Sequence, residues 1–208
     1  MRLLAEHSPG FDPSLPWSEE SEILRGQSLL FDQVGALRRS PFTGRRHEFT
    51  RLRCPEWVNV IAFLPVQEGG ELLTVEQFRH GIDAPTLEIV GGVCDPGEDP
   101  ADSARRELQE ETGHVSDQWI SLGSCAPNPA VQDNHCHFFL ALDCRSIGAL
   151  ELDPSEELRV WALSWQEWES RMKSGEISHA LVLAAFMRLF CWEGWPALRA
   201  SLEGSSSH

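Results

Sequence analysis

The chain has no tyrosine among its 208 residues and no apolar run long enough to cross a bilayer. A spanning helix needs roughly 20 consecutive apolar residues. The longest apolar stretches, Trp57 to Val66 and Ala180 to Phe190, fall short of that and are interrupted by polar groups. No membrane partner is expected. The N-terminal segment MRLLAEHSPGFDP lacks the sustained apolar core of a secretory signal, so the cytoplasm is the expected location. The six cysteines lack the C-x-x-C spacing of a zinc site and the density of a disulfide scaffold, which leaves reduced and mostly buried thiols. His135 and His137 flank Cys136, but strand alternation sends the two imidazoles to one face and the thiol to the other, against a metal centre there. Positive charge is scarce too: 17 Lys and Arg stand against 32 Asp and Glu, for a formal net charge of −15. With no basic stripe, nucleic acid is excluded as a partner. An anionic substrate would need the repulsion cancelled locally, most simply by bound divalent cations.

What is present reads as an ordinary globular protein, 41% hydrophobic and 24% charged. The length suits one main domain with a small accessory layer. Residues 1–54 read as an arm, irregular over residues 1 to 20, followed by strands at Ser28 to Leu37 and His47 to Arg53. Residues 55–195 form the main domain, and residues 196–208 a tail whose LEGSSSH resembles a flexible linker and the start of an affinity tag. In the main domain, strands fit the run WVNVIAFLPV, LLTVEQFR, Thr86 to Val90, Trp119 to Leu122, His135 to Leu142 and Arg159 to Leu163. Helices fit Pro100 to Thr112, Ser164 to Lys173 and Ser178 to Cys191. Strands and helices mix without βαβ repetition, so the fold class is α/β (α+β), a sandwich with a mixed sheet.

The most informative stretch is GGVCDPGEDPADSARRELQEETGHV, from Gly91 to Val115. Asp99 is a good N-cap, Pro100 sits at the favoured first helical position, and Gly113 is a natural left-handed C-terminal cap. Between them Glu107, Glu110 and Glu111 stand at i, i+3 and i+4, on one stripe of the helix. Ala101, Ala104 and Leu108 form the opposite, core-facing stripe. Like charges so close destabilise a bare helix, and hard oxygen ligands on a rigid element suit Mg²⁺ or Mn²⁺. Taken alone, E-x-x-E-E on a helix is more often a solvated acidic face.

The full array says more. Gly92, Glu98, Arg106, Glu107, Leu108, Glu110, Glu111 and Gly113 match eight of the nine specified positions of the Nudix box, G-x5-E-x7-R-E-U-x-E-E-x-G-U, where U is aliphatic. The ninth is His114. The chain thus resembles the Nudix hydrolases. The resemblance implies an α/β/α sandwich with a mixed sheet, catalysis over residues 55–195, and pyrophosphate hydrolysis with Mg²⁺ or Mn²⁺. It also implies Glu107, Glu110 and Glu111 as metal-binding carboxylates, with a backbone carbonyl from Gly91, and Glu98 with Arg106 as a brace between loop and helix.

The run VEQFRHGIDAPTLEIVGG is similar to that of the ADP-ribose and nucleoside diphosphate sugar pyrophosphatases, which implies a phosphate contact for Arg79 and a place beside metal or nucleotide for Glu88. Pro129, 16 residues after Gly113, stands where ADP-ribose hydrolases commonly carry a proline. The missing tyrosine speaks against dinucleoside polyphosphate hydrolases. In DPSEELRVWAL, Glu156, then Glu157, stands where the subgroup often carries its general base, and Glu110 of the box is the alternative. Trp57 and Phe31 are candidates for stacking on a base, with core packing as the competing role. The strand pair SPFTGRRHEFTRL resembles one that joins relatives into homodimers. The implied substrate is a small nucleotide sugar, ADP-ribose or a similar one such as GDP-mannose. A nucleoside triphosphate hydrolase and a non-catalytic nucleotide-sugar-sensing module are the rival readings.

Overall fold

The computed structural model describes residues 12, 14–148 and 157–204. These divide into two compact units, Met1–Cys54 with Asn128–Asp133, and Pro55–Pro127 with Asn134–His208. Among the described residues no single helix is long and apolar enough to cross a membrane.

The first unit is an antiparallel meander of β1 (Ser18–Gln27), β2 (Asp32–Arg39) and β3 (Arg46–Arg53). The sequence pattern suggests an irregular arm to residue 20 and a strand from Ser28. Here the structure differs: β1 precedes that point, and Ser28–Phe31 is a tight turn in which the Ser28 hydroxyl accepts from the Leu30 and Phe31 amides. The expected strand pair is present as β2 and β3, and β1 extends it to a three-stranded sheet. β1, SEESEILRGQ, has no apolar alternation because most of it is exposed. Ion pairs to the neighbouring strands join it to the sheet instead: Glu19 with Arg38 and Arg51, Glu20 with Arg39 and Arg46, and Glu22 with Arg51 and Arg53.

The second unit is built on β4 (Trp57–Phe63), β5 (Leu72–Arg79), β6 (Ala84–Glu88), β7 (Val90–Val93), β9 (Gln118–Cys125), β10 (Cys136–Leu142) and β12 (Leu158–Leu163), with short β8 (His114–Val115) and β11 (Arg145–Ser146) as a separate pair. The main order is β12-β5-β4-β10-β9, with β6 on β5 and β7 on β4; β4 and β10 run parallel and the other pairs antiparallel. Among the described residues the α-helices are α1 (Pro100–Thr112), α2 (Trp165–Ser174), α3 (Ala180–Cys191) and α4 (Trp195–Gly204).

Strand alternation explains the layers. On β4, Ile61 and Phe63 enter a core with Trp165, Trp168, Val182, Phe186 and Leu189 of α2 and α3. Val58, Val60 and Ala62 enter a second core with Ala104 and Leu108 of α1. Both faces of the mixed sheet are thus covered by helices, the α/β/α sandwich expected of the fold class. β7 and α4 lie outside the sequence reading, which gives β6 as Thr86 to Val90 and sets residues 196–208 aside as a tail. α4 runs to Gly204 and buries Trp195 and Leu202.

Candidate active site

α1 begins and ends where its local chemistry dictates. The Asp99 carboxylate accepts from the Ala101 amide at 2.8 Å, Pro100 opens the helix, and Gly113, at φ 68°, donates its N–H to Gln109 O. His114, the one departure from the box, is half-buried, and its ring Nδ1 lies 2.7 Å from Thr112 O. A hydrogen bond at the helix exit thus stands where the family pattern has aliphatic packing.

The acidic stripe faces the glycines of β7. Glu107 and Glu111 are buried, at 7% and 3% exposure, whereas Glu110 is half-open. The Gly91 N–H donates to Glu111 Oε2 at 3.1 Å. A Cβ on Gly92 would stand 2.2 Å from the Glu107 carboxylate of α1, and one on Gly91 would stand 2.4 Å from Asn59 Nδ2 of β4, so β7 meets the helix on one side and β4 on the other at distances only glycine permits.

One guanidinium organises the rest. Arg106 Nη1 donates to both Glu107 and Glu110 at 2.9 Å, Nε and Nη2 donate to Glu98 at 3.1 and 3.0 Å, and Nη2 also reaches Val93 O. Glu98 and Arg106 therefore tie the loop to the helix. Hydrogen bonds from Arg106, then from the Asp95 amide, hold the Glu98 carboxyl down at about 2, against an ordinary 4.5. Such a group contributes stability that is fully present above its unfolded value and lost as pH falls through its folded value. Resistance to urea is therefore expected to decline between about pH 4.5 and 2, with Glu98→Gln lacking that part of the slope. Identical slopes in the two proteins would remove Glu98 as its source.

Arg79 and Glu88 form the second pair. Both lie on the β5–β6 hairpin, where Val75 opposes Glu88; Arg79 is four residues beyond Val75, on the same face, and folds back along the strand. Nε and Nη2 donate to the two Glu88 oxygens at 2.7 Å each, and Thr86 Oγ1 donates to Oε1 at 2.5 Å. Burial pushes the Glu88 carboxyl up, but the bonds from Arg79 and Thr86 and the Arg79 charge outweigh it and leave the group below its ordinary value. Hydrogen bonding to Glu88 raises Arg79 in turn, and Glu111 is near enough to add to that.

Glu98, Glu107 and Glu110 thus gather on the Arg106 guanidinium, Glu88 on that of Arg79, and Glu111 accepts from the Gly91 N–H. Among the described residues no three acidic, imidazole or thiol groups are already gathered as a metal cage. The donor chemistry, carboxylate oxygens on one helical stripe, fits a hard divalent cation.

Other candidates lie elsewhere. Trp57, half-buried at the start of β4, pairs with Val93 and Cys136 and packs against the core on the α2–α3 face. Pro129 belongs to the first unit and borders a cavity of about 360 Å³ with Trp17, Arg38, Phe49, Arg51 and Val131; the Trp17 and Phe49 rings meet edge to face at 5.4 Å. Phe31 is exposed in the β1–β2 turn. Glu157 is exposed just before β12, and Glu156 lies outside the described residues. Both His135 and His137 turn to Glu56, and Cys136, fully buried, is pushed up to about 12 by burial. Thr86 and His179, which no motif marks, both face Glu88, His179 at 3.9 Å. Neither has a spacing signal, because β5–β6 pairing and the start of α3 bring them there.

The helix between two loops, with Glu107 and Glu111 buried on one stripe, agrees with the pyrophosphohydrolase class that the sequence resembles. A NUDIX domain model matches residues 55–186, and the chain belongs to the Nudix family as a pyrophosphohydrolase. It is similar to an ADP-ribose pyrophosphatase of Bacillus subtilis, 29% identical over 130 residues, covering 62% of this chain and 70% of that protein. A second ADP-ribose pyrophosphatase, of Mycobacterium tuberculosis, is 25% identical over 168 residues, covering 80% and 81%. Among solved structures, an ADP compounds hydrolase shares the fold with a TM-score of 0.74 at 20% identity, covering 86% of this chain and 94% of the other.

Proposed function

We propose that this protein hydrolyses the pyrophosphate bond of ADP-ribose or a similar nucleoside diphosphate sugar, with Mg²⁺ or Mn²⁺, to a nucleoside monophosphate and a sugar phosphate. The observation that carries it is the pair of buried carboxylates, Glu107 and Glu111, on one stripe of α1, with the Arg79–Glu88 pair close enough for Glu111 to act on Arg79. The similarity to two ADP-ribose pyrophosphatases supports the substrate class.

Glu107, Glu110 and Glu111 would hold the metal, with the Gly91 carbonyl as a further oxygen. The bound ion supplies charge neutralisation on the phosphates and an activated water. Arg79 is partly open and offers its guanidinium to a phosphate oxygen, while Glu88 fixes its direction. Glu110, the least buried of the three carboxylates, and Glu156 or Glu157 before β12 are the candidate bases. Pro129 is proposed as a substrate contact because its cavity carries aromatic rings and guanidiniums. Trp57, placed against the core, is a weaker candidate. The exposed Ile23, Leu24, Leu29 and Leu30 of the first unit support a homodimer through the N-terminal strands, and a cytoplasmic location is proposed with it.

The test is incubation with ADP-ribose, GDP-mannose, UDP-glucose and dGTP, with Mg²⁺ and with EDTA, followed by chromatography of the products. Metal-dependent release of a nucleoside monophosphate from a diphosphate sugar is expected. Turnover of dGTP alone would reassign the protein to the triphosphates, and tight binding without turnover would make it a sensor.

A further inference from the structure

Glu88 poses a physical problem for the site. It is 1% exposed, and its described partners at hydrogen-bond distance are Arg79, on both oxygens, and Thr86, on Oε1. If Arg79 turned Nη2 toward a phosphate, Glu88 Oε2 would lose its strong donor inside the protein, a costly state for a buried carboxylate. A replacement donor must be at hand.

His179 stands in that place. Its Nε2 is 3.9 Å from Glu88 Oε2, just outside hydrogen-bond reach. It occupies the N-cap of α3, yet its side chain makes no capping bond, at a position where Ser, Thr, Asp or Asn is favoured. Its Nδ1 is buried and has no hydrogen-bond partner among the described residues. The helix start thus forgoes a side-chain cap and keeps an imidazole beside a buried carboxylate. Burial lowers the pKa of His179, with Glu88 opposing and Arg79 assisting, so the ring is neutral at neutral pH and presents one N–H.

We propose that His179 is a positioning residue for the hydrolysis: as Arg79 Nη2 moves from Glu88 Oε2 to a substrate phosphate, the His179 Nε2–H closes on that oxygen and keeps Glu88 paired. Only hydrogen bonds are exchanged and no proton is transferred. The proposal rests on the pyrophosphohydrolase reading of the site.

The experiment is steady-state kinetics with ADP-ribose and Mg²⁺ on His179→Asn and His179→Gln, alone and with Arg79→Lys, alongside thermal melts. Asparagine is a good N-cap but too short to reach Glu88, so the melting temperature should hold or rise while KM rises about 10-fold and kcat stays within about twofold, the loss of one bond to a charged group. Glutamine, which keeps an N–H donor with longer reach, should recover most of the loss. On the Arg79→Lys background His179→Asn should add less than about twofold, since the two residues act through one carboxylate. Unchanged KM in both variants overturns the proposal, as does a full 10-fold addition on that background. A drop in kcat and melting temperature together in both variants also overturns it, as the mark of a merely structural residue. If the wild-type protein releases no product from any diphosphate sugar, the reading of the site fails first and the proposal with it.

Discussion

Glu111→Gln is expected to lower kcat on ADP-ribose by on the order of 10²–10³-fold, the size of effect seen when one electrostatic stabiliser of a transition state is removed. The substitution isolates charge from shape. Glutamine has nearly the same volume, and its amide oxygen can still accept from the Gly91 N–H that Glu111 Oε2 now holds at 3.1 Å. At 3% exposure the side chain has little room to rearrange. What disappears is one negative charge from a cluster in which carboxylates outnumber guanidiniums. Without substrate that loss removes repulsion among the carboxylates and attraction to Arg79 alike, so the melting temperature should change little. With substrate it removes one of the proposed ligands for the cation, so kcat and kcat/KM should fall together. Titration of Mg²⁺ should show weaker binding to the variant. An undiminished kcat would take Glu111 out of the metal-binding set and leave Glu107 and Glu110 to carry it.

The contrast between α1 and its surroundings shows which parts of this architecture are written locally. Asp99, Pro100 and Gly113 are neighbours of the helix they delimit, so its ends can be read from the residues, and the stripe of Glu107, Glu110 and Glu111 follows from 3.6 residues per turn. β5 is legible for a similar reason, because LLTVEQFR is β-rich and bounded by Gly69-Gly70 and Gly81. β1 is not. Its residues are polar on nearly every position, and its partners Arg38, Arg39, Arg46, Arg51 and Arg53 are up to 32 residues away, beyond any window of periodicity. β7 escapes because half of it is glycine, a residue that disfavours strands; the close approach of α1 is what requires it. In the site the same division holds. Carboxylates on one helix announce themselves by spacing, whereas His179 meets Glu88 across 91 residues and only through the packing of α3 on the sheet.

Gly92→Ala should be as damaging to activity as loss of the neighbouring carboxylate. Its Cβ would lie 2.2 Å from both Cδ and Oε1 of Glu107 and 2.5 Å from Oε2, distances at which the whole carboxylate must leave its place. Strand β7 cannot retreat, because Gly91, Gly92 and Val93 are paired with Asn59, Val58 and Trp57 of β4. Helix α1 cannot retreat either, since Ala104 and Leu108 on its other stripe are fully buried in the core with β4. The strain therefore falls on the Glu107 side chain and on the Arg106 bond it accepts at 2.9 Å. Overpacking of this kind costs about 1–3 kcal/mol of stability, and misplacing a site group by about 1 Å costs roughly 10²-fold in rate. Urea denaturation and kcat on ADP-ribose would measure the two effects. A second substitution separates them: Gly92→Ala with Glu107→Ala removes the clashing carboxylate and should recover most of the lost stability without recovering activity. If Gly92→Ala alone keeps full kcat, the present position of the Glu107 carboxylate is dispensable for the reaction, and metal binding would have to be assigned to Glu110 and Glu111.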